Sequence, residues 1–397
     1  MVKFHDTLKK QKLNTFANIT KAKRATKSTI DETVLRADRN LFARMIITAE
    51  SRHFHMQEVL QPSSGLLPSS LATSNGLPRK TNKVQLGREL EKLIEPTTHI
   101  TGPSVYLIDG MALVQKLKTF GQIADAALSR VLQEGGSSKR IDLVFDVYNE
   151  ISIKSAEREQ RGEGESVTCK NLTAGQKIKQ FNNFLQNGQN KNSLIKFFND
   201  YWSKPSSRHK LADKELYIAC GAKCYKVTAN SVQEVVELSS EQEEADTRLL
   251  LHAKHAATPH VKAIIISSED TDARMLCISF AHAIPVPIFQ QCVLQHHARY
   301  IDISKIASAL GEDVCKALLG LHAFTGCDSV SAFAGIGKVR PLKLLRSMKE
   351  FQALFQNLGE QWSVTEEMCI QLESFVCAMY GVKKGNQDIN QCRCAVF

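Results

Sequence analysis

The chain has 397 residues, 43 % hydrophobic and 23 % charged, an ordinary globular composition and enough length for two or three domains. Its formal charge of +10 favours an anionic partner, nucleic acid being the common one. No apolar run approaches the about 20 residues that span a bilayer, and the start, Met1 to Asp6, has no apolar core of a signal peptide, so a transmembrane or secreted protein is not expected.

The charge is uneven. Residues 1–30 hold Lys3, Lys9, Lys10, Lys12, Lys21, Lys23, Arg24 and Lys27 against the single acid Asp6, which is seven of the ten net charges. Residues 1–97 therefore read as a basic, partly helical leader, with a Ser/Pro/Gly/Asn linker over 61–81 and a short helix over 84–94. The eleven cysteines sit mostly in apolar patterns, as Cys277 and Cys377 do, where a reduced thiol is a small hydrophobe. An intracellular protein is expected, nuclear in preference to cytoplasmic.

After Gly102-Pro103 the run 104–108 reads as a strand that ends in Asp109-Gly110. A helix over 111–132 follows, then a strand over 141–145 that ends in Asp146. Two strands separated by a helix of crossover length make a parallel pair. Residues 154–210 read as helical and basic, with Lys154, Arg158 and Arg161 early in the stretch and an amphipathic run over 172–202. Such cations are either a solvated helix face or phosphate clamps. Short strands at 216–219 and 224–228 bracket Gly221. Cys220 and Cys224 lack a second pair at zinc spacing, so a zinc ribbon is rejected.

Ser240 with Glu243 forms a capping box that starts a helix carrying Glu244 and Asp246. These two acids would lie about 200° apart on an ideal helix. His252 and His255 on the same helix read as core or solvated histidines. The β-branched run 261–267 has the pattern of a strand buried on both faces, and it ends in Glu269-Asp270-Thr271-Asp272. In extended chain Asp270 and Asp272 point to the same side, where they could hold a hard divalent cation. A helix over 273–281, strands over 286–289 and 300–303, and helices over 303–310 and 313–324 lead to Gly326-Cys327-Asp328. Gly335-Ile336-Gly337 and Lys338 come next, a glycine hairpin of the kind that brings backbone N–H groups close to phosphate.

The order of these motifs resembles the flap-endonuclease/XPG-type nuclease family, within the wider PIN-like fold, from about Val105 to Leu345. The carrying residues are Asp109 in Leu-Ile-Asp-Gly, Asp146 in Val-Phe-Asp, Glu244-Ala245-Asp246, Glu269-Asp270-Thr271-Asp272, and Gly326-Cys327-Asp328 ahead of Gly335 and Gly337. The resemblance implies an α/β fold, three-layer α/β/α with a central mainly parallel sheet, followed by a helix-hairpin-helix-type helical region. It divides the chain into the leader 1–97, a nuclease domain 98–300 with a helical insertion at about 155–210, and a helical region 301–397 with the hairpin motif at about 315–346.

The implied activity is structure-selective phosphodiester hydrolysis in DNA, or RNA, by two Mg²⁺ or Mn²⁺ ions. Asp109, Asp146, Glu244, Asp246, Asp270, Asp272 and Asp328 would hold them, and a monovalent cation would sit at the hairpin. Lys154 and Arg161 match the family's phosphate-contacting cations across a one-residue insertion, with Arg158 as the competitor. Gly335, Gly337, Lys338 and Arg340 would meet the nucleic-acid backbone. The chain departs from the family in the hundred residues ahead of the first acid and in lacking the proline usual after Gly-Ile-Gly. The His-Ala-Phe-Thr-Gly-Cys-Asp motif is also similar to that of multicopy animal proteins of mobile-element type. A catalytically inactive nucleic-acid-binding or scaffold relic and a PIN-type ribonuclease are the alternatives. The end, Cys394-Ala395-Val396-Phe397, formally fits a prenylation box.

Overall fold

The apolar runs at 104–108 and 263–267 become neighbouring parallel strands at the middle of one sheet. The structure is a computed structural model that describes residues 68–149, 168–178, 180–294, 297–382 and 389. Strand β1 (Ser104–Asp109) pairs with β2 (Arg140–Val144) on one side and β6 (Ala263–Ser267) on the other, and both pairings are parallel. β3 (Glu215–Cys220) continues the parallel sheet beyond β2, and β7 (Ile288–Leu294) beyond β6. Antiparallel strands finish both edges: β4 (Lys223–Val227) and β5 (Val232–Glu234) on one, β8 (His297–Asp302) on the other. The order is β5-β4-β3-β2-β1-β6-β7-β8.

The period-2 alternation of the strands divides their side chains between two helical layers. Tyr106, Ile108, Ile141, Leu143, Ile218 and Ile265 share one core with α2 (Phe120–Glu134), α3 (Phe181–Gln186) and α4 (Gly188–Trp202), the short α5 (Pro205–Arg208) following. Val105, Leu107, Val144, Ile264, Ile266 and Ile288 share the other. That second core takes in α1 (Val84–Glu91), α6 (Ala245–Ala256), α7 (Thr271–Phe280), α8 (Ile303–Leu310), α9 (Glu312–Phe324), α10 (Val339–Ser347), α11 (Lys349–Asn357) and α12 (Glu366–Tyr380). Helices thus cover both faces of a mostly parallel sheet, as a sheet buried on both sides requires.

Three local expectations change. The helix expected over 111–132 is split: a 3₁₀ turn, Gly110–Leu113, is followed by extended chain, and α2 starts only after Thr119, whose hydroxyl accepts from Gln122 N at 3.3 Å. The stretch read as helical is not helical over 168–178; among its described residues helix starts only at Phe181 and is interrupted at Asn187, whose Oδ1 accepts from Gln189 N at 2.8 Å and Asn190 N at 3.2 Å and so starts α4. Ser240 caps no helix; it accepts from Gln242 N at 3.2 Å within the loop, and Glu244 is the N-cap residue of α6.

The expected boundaries near 97 and 300 are not borders between separate cores. All the described residues belong to one compact unit. Leu86 and Leu90 of α1 are buried in the same core as Ile264 and as Leu321 of α9. The reason is apolar area: α1 and the helices after β8 have no other layer against which to bury it. No helix among the described residues is long and apolar enough to cross a membrane.

Candidate active site

From β1 the chain crosses toward β2 and β3 on one side, and from β6 toward β7 on the other. The β1–β6 junction is therefore the switch point of the sheet, and the crevice beyond the carboxyl ends of the strands opens there. Asp109 closes β1 opposite Val144, the last residue of β2, with Asp146 two residues on. Ser267 ends β6 opposite Ile108, and Asp270 and Asp272 follow within five residues. α6 brings Asp246 in its first turn.

Backbone N–H groups hold these carboxylates in place. Asp109 Oδ1 accepts from Met111 N at 3.1 Å. Asp146 Oδ1 accepts from Ala245 N at 2.8 Å, and Tyr148 OH stands 3.4 Å from its other oxygen. Asp270 is the N-cap of α7, its Oδ1 accepting from Asp272 N at 2.9 Å. Asp272 is already helical, so the extended geometry expected for the pair does not hold, although the charges of both act on Asp246. Glu244 is extended at the N-cap of α6, one residue before the helix that carries Asp246.

The acids act on one another. Burial, with the charges of Asp146 and Asp270, pushes the Asp109 carboxyl up to about 6. Burial and the charges of Asp270, Asp109, Asp272 and Asp146 push Asp246 up to about 8. Among the described residues none of Asp109, Asp146, Asp246 and Asp270 has a direct ion-pair partner. The contrast within the fold is Asp142, fully buried, which accepts from Arg140 Nε at 2.8 Å and Nη2 at 2.7 Å and pairs with His252 Nδ1 at 2.7 Å. Burial opposes ionisation of Asp142, but these partners outweigh it and hold the carboxyl below its usual range.

Asp272 and Asp328 behave differently because a lysine joins them. Lys83 Nζ lies 2.7 Å from Asp272 Oδ2 and also pairs with Asp328 Oδ1, while His322 Nε2 lies 2.8 Å from Asp272 Oδ1. Burial alone would raise Asp272, yet the bonds from His322 and Lys83 prevail and hold it well below the carboxylate range. Lys83 thus joins Asp328 to Asp272, and Asp272 and Asp109 both lie near enough for their charges to act on Asp246. Lys83 carries no motif in the sequence and lies in the segment read as a basic leader; His322 opens the His-Ala-Phe-Thr-Gly-Cys-Asp motif, which gives it no role of its own.

The expected nucleic-acid contacts fare unevenly. Lys154, Arg158 and Arg161 lie outside the described residues, as does the tail from Cys394. Gly335 and Gly337 are exposed on the loop between α9 and α10. Lys338 is corrected: it is only 1 % exposed, and its ammonium donates to His322 O at 2.6 Å and Thr325 Oγ1 at 3.0 Å, so it supports the loop from inside and does not reach a phosphate. Burial brings it down to about 8. Arg340 is exposed, and its Nη2 lies 3.5 Å from Ala378 O at the end of α12.

No family model matches the chain, and no curated protein matches it.

Among the described residues no group of three or more His, Cys, Asp or Glu side chains already converges as metal ligands. The donor set at the switch point nevertheless fits a hard divalent cation in chemistry and charge: oxygen ligands only, from Asp109, Asp146, Asp246 and Asp270, whose repulsion an ion would relieve. The cysteines do not offer a softer alternative. Those among the described residues are free thiols, and burial pushes Cys220 and Cys224 up to about 11 and about 12. A cavity of about 430 Å³ lies at the other end of β7, lined by His282, Pro287, Ser304 and Glu312, and contains none of these acids.

Proposed function

We propose that the chain is a metal-dependent nuclease that hydrolyses phosphodiester bonds in DNA, with RNA as the second substrate class. One observation carries the reading: Asp109, Asp146, Asp246 and Asp270 come from four separate segments to the switch point of the sheet, where their charges act on one another and, among the described residues, no cation pairs with them. A purely structural acid would be closed by cations, as Asp142 is closed by Arg140 and His252. Acids left in mutual repulsion lower the stability of the fold, which is understandable where a cation and an anionic substrate complete the site.

Asp109, Asp146, Asp246 and Asp270 would hold the ion, and a bound Mg²⁺ or Mn²⁺ would supply an activated water and offset charge on the phosphoryl oxygens. The backbone donors Met111 N, Ala245 N and Asp272 N fix three of the four carboxylates, so little reorganisation is left for the reaction itself. The basic excess of the chain favours approach of a polyanion, and by resemblance Lys154 and Arg161, or Arg158, would contact the phosphate beside the cleaved bond.

A cleavage panel tests the proposal: branched, single-stranded and duplex DNA and single-stranded RNA with Mg²⁺ or Mn²⁺, wild type beside Asp246→Asn and Asp270→Asn. Cutting that falls at least a hundredfold in both variants is the expected outcome. Equal cutting by wild type and variants, or none by the wild type on any substrate, would sink the reading.

A further inference from the structure

The segment ahead of α1 is strapped to the loop that carries Asp328. Ala332 N donates to Arg79 O at 2.8 Å, Ala334 N to Ser70 O at 2.8 Å, and Lys80 Nζ to Asp328 O at 3.3 Å. This strap delivers Lys83, at the N-cap position of α1, into the acid cluster. The Lys83 ammonium spans Asp272 and Asp328, and His322 occupies the other oxygen of Asp272, so both oxygens of Asp272 are engaged. The three members of the bridge are half-buried, with side-chain exposures of 19 % for Lys83, 24 % for Asp272 and 28 % for Asp328. A charge pair shielded to that degree is screened less by salt than an exposed one.

We propose, resting on the metal-dependent reading of the site, that Lys83 is a built-in counter-ion for Asp272 and Asp328, so that the centre takes one divalent cation, on Asp109, Asp146, Asp246 and Asp270, where the family resemblance implies two. An ammonium and a divalent ion on the same two carboxylates repel each other, and a cation anchored by the fold is present at all times at the effective concentration of a tethered group. Among the described residues no cation pairs with Asp109, Asp146, Asp246 or Asp270, whereas Asp272 and Asp328 share the charge of Lys83. The site is thus divided into a half that an ion completes and a half that the chain completes with its own lysine.

Counting bound Mn²⁺ on the full chain tests this without reference to activity, by electron paramagnetic resonance of the free ion and by calorimetric titration. One ion per wild-type chain, two per Lys83→Met chain and one per Lys83→Arg chain are expected. A count that Lys83→Met leaves unchanged overturns the role of Lys83, whether that count is one or two. No binding by either protein overturns the metal-dependent reading itself and this proposal with it. Because Lys83→Met removes a part of the strap and could unfold the loop, Asp328→Asn in the wild-type background serves as the second variant. It is expected to leave the count at one, since that carboxylate holds no ion; a count that drops by one overturns the proposal.

Discussion

The carboxylate of Asp146 accepts a 2.8 Å hydrogen bond from the backbone N–H of Ala245, a residue 99 positions later in the chain. Val147 N donates to Glu243 O at 2.8 Å beside it. The end of β2 and the start of α6 are therefore stitched together. Glu244, the N-cap residue of α6, makes no side-chain cap bond of its own, so Asp146 supplies the cap from another element.

Asp146→Ala is expected to lower stability by about 1 kcal/mol, the usual cost of losing an N-cap acceptor. Asp146→Asn keeps an acceptor oxygen and is expected to unfold within a few tenths of a kcal/mol of the wild type while losing Mn²⁺ affinity. Urea unfolding beside a Mn²⁺ titration separates the cap from the ion ligand.

The raised carboxyls give a pH dependence of definite sign. Asp246 binds its proton in the folded chain up to about 8, and Asp109 up to about 6, whereas in the unfolded chain both ionise near pH 4. Between these limits the folded state binds more protons, so the stability of the ion-free protein falls as pH rises from about 4 to about 8. Asp246→Asn is expected to flatten the upper part of that slope, as is saturating Mn²⁺. The melting temperature followed over pH 5 to 8.5, in chelator for wild type and variant and with Mn²⁺ in place of chelator for the ion-bound protein, checks both; a slope unchanged by the substitution contradicts the buried repulsion.

Arg274, 6 % exposed, fastens α7 to α1 and β7. Its Nη1 lies 2.5 Å from Glu91 Oε1 and its Nε 2.5 Å from Gln290 Oε1. Gly87 leaves the room for the guanidinium, since a Cβ there would stand 2.8 Å from Arg274 Nη1. Arg274→Ala is expected to cost about 3 to 5 kcal/mol in chemical denaturation, because it leaves buried polar partners unmatched. Arg299, 3.0 Å from Glu91, retains part of the pairing and places the loss toward the lower end.

Gly326 turns the chain out of α9 at φ +106°, and a Cβ there would stand 2.8 Å from Ala332. Gly326→Ala meets both the left-handed backbone and a contact that cannot yield. The loop carrying Asp328 is expected to shift and the Lys83 bridge with it. Faster amide exchange across 326–334, with the β1 and β6 amides unchanged, is the result that checks it.

Much of the architecture was legible because its causes are local. The apolar runs of β1, β2 and β6 and the acids just beyond them follow from residues within a few positions of one another, and so does the α/β class with a parallel sheet. Burial and capping decided the details that failed. The helix expected over 111–132 begins only after Thr119, which caps it, and Asp272 is helical instead of extended because α7 begins between it and Asp270.

By itself, the sequence determined that acids would end the central strands of an α/β sheet. Only the tertiary structure decided which of them face one another and which are already neutralised. Lys83 and Asp272 are 189 positions apart and Lys83 and Asp328 are 245 apart, so no spacing announces the bridge. Lys338 looked like a surface cation for the same reason; its burial beneath His322 and Thr325 depends on how α9 and α10 meet, which is a property of packing and not of the local chain.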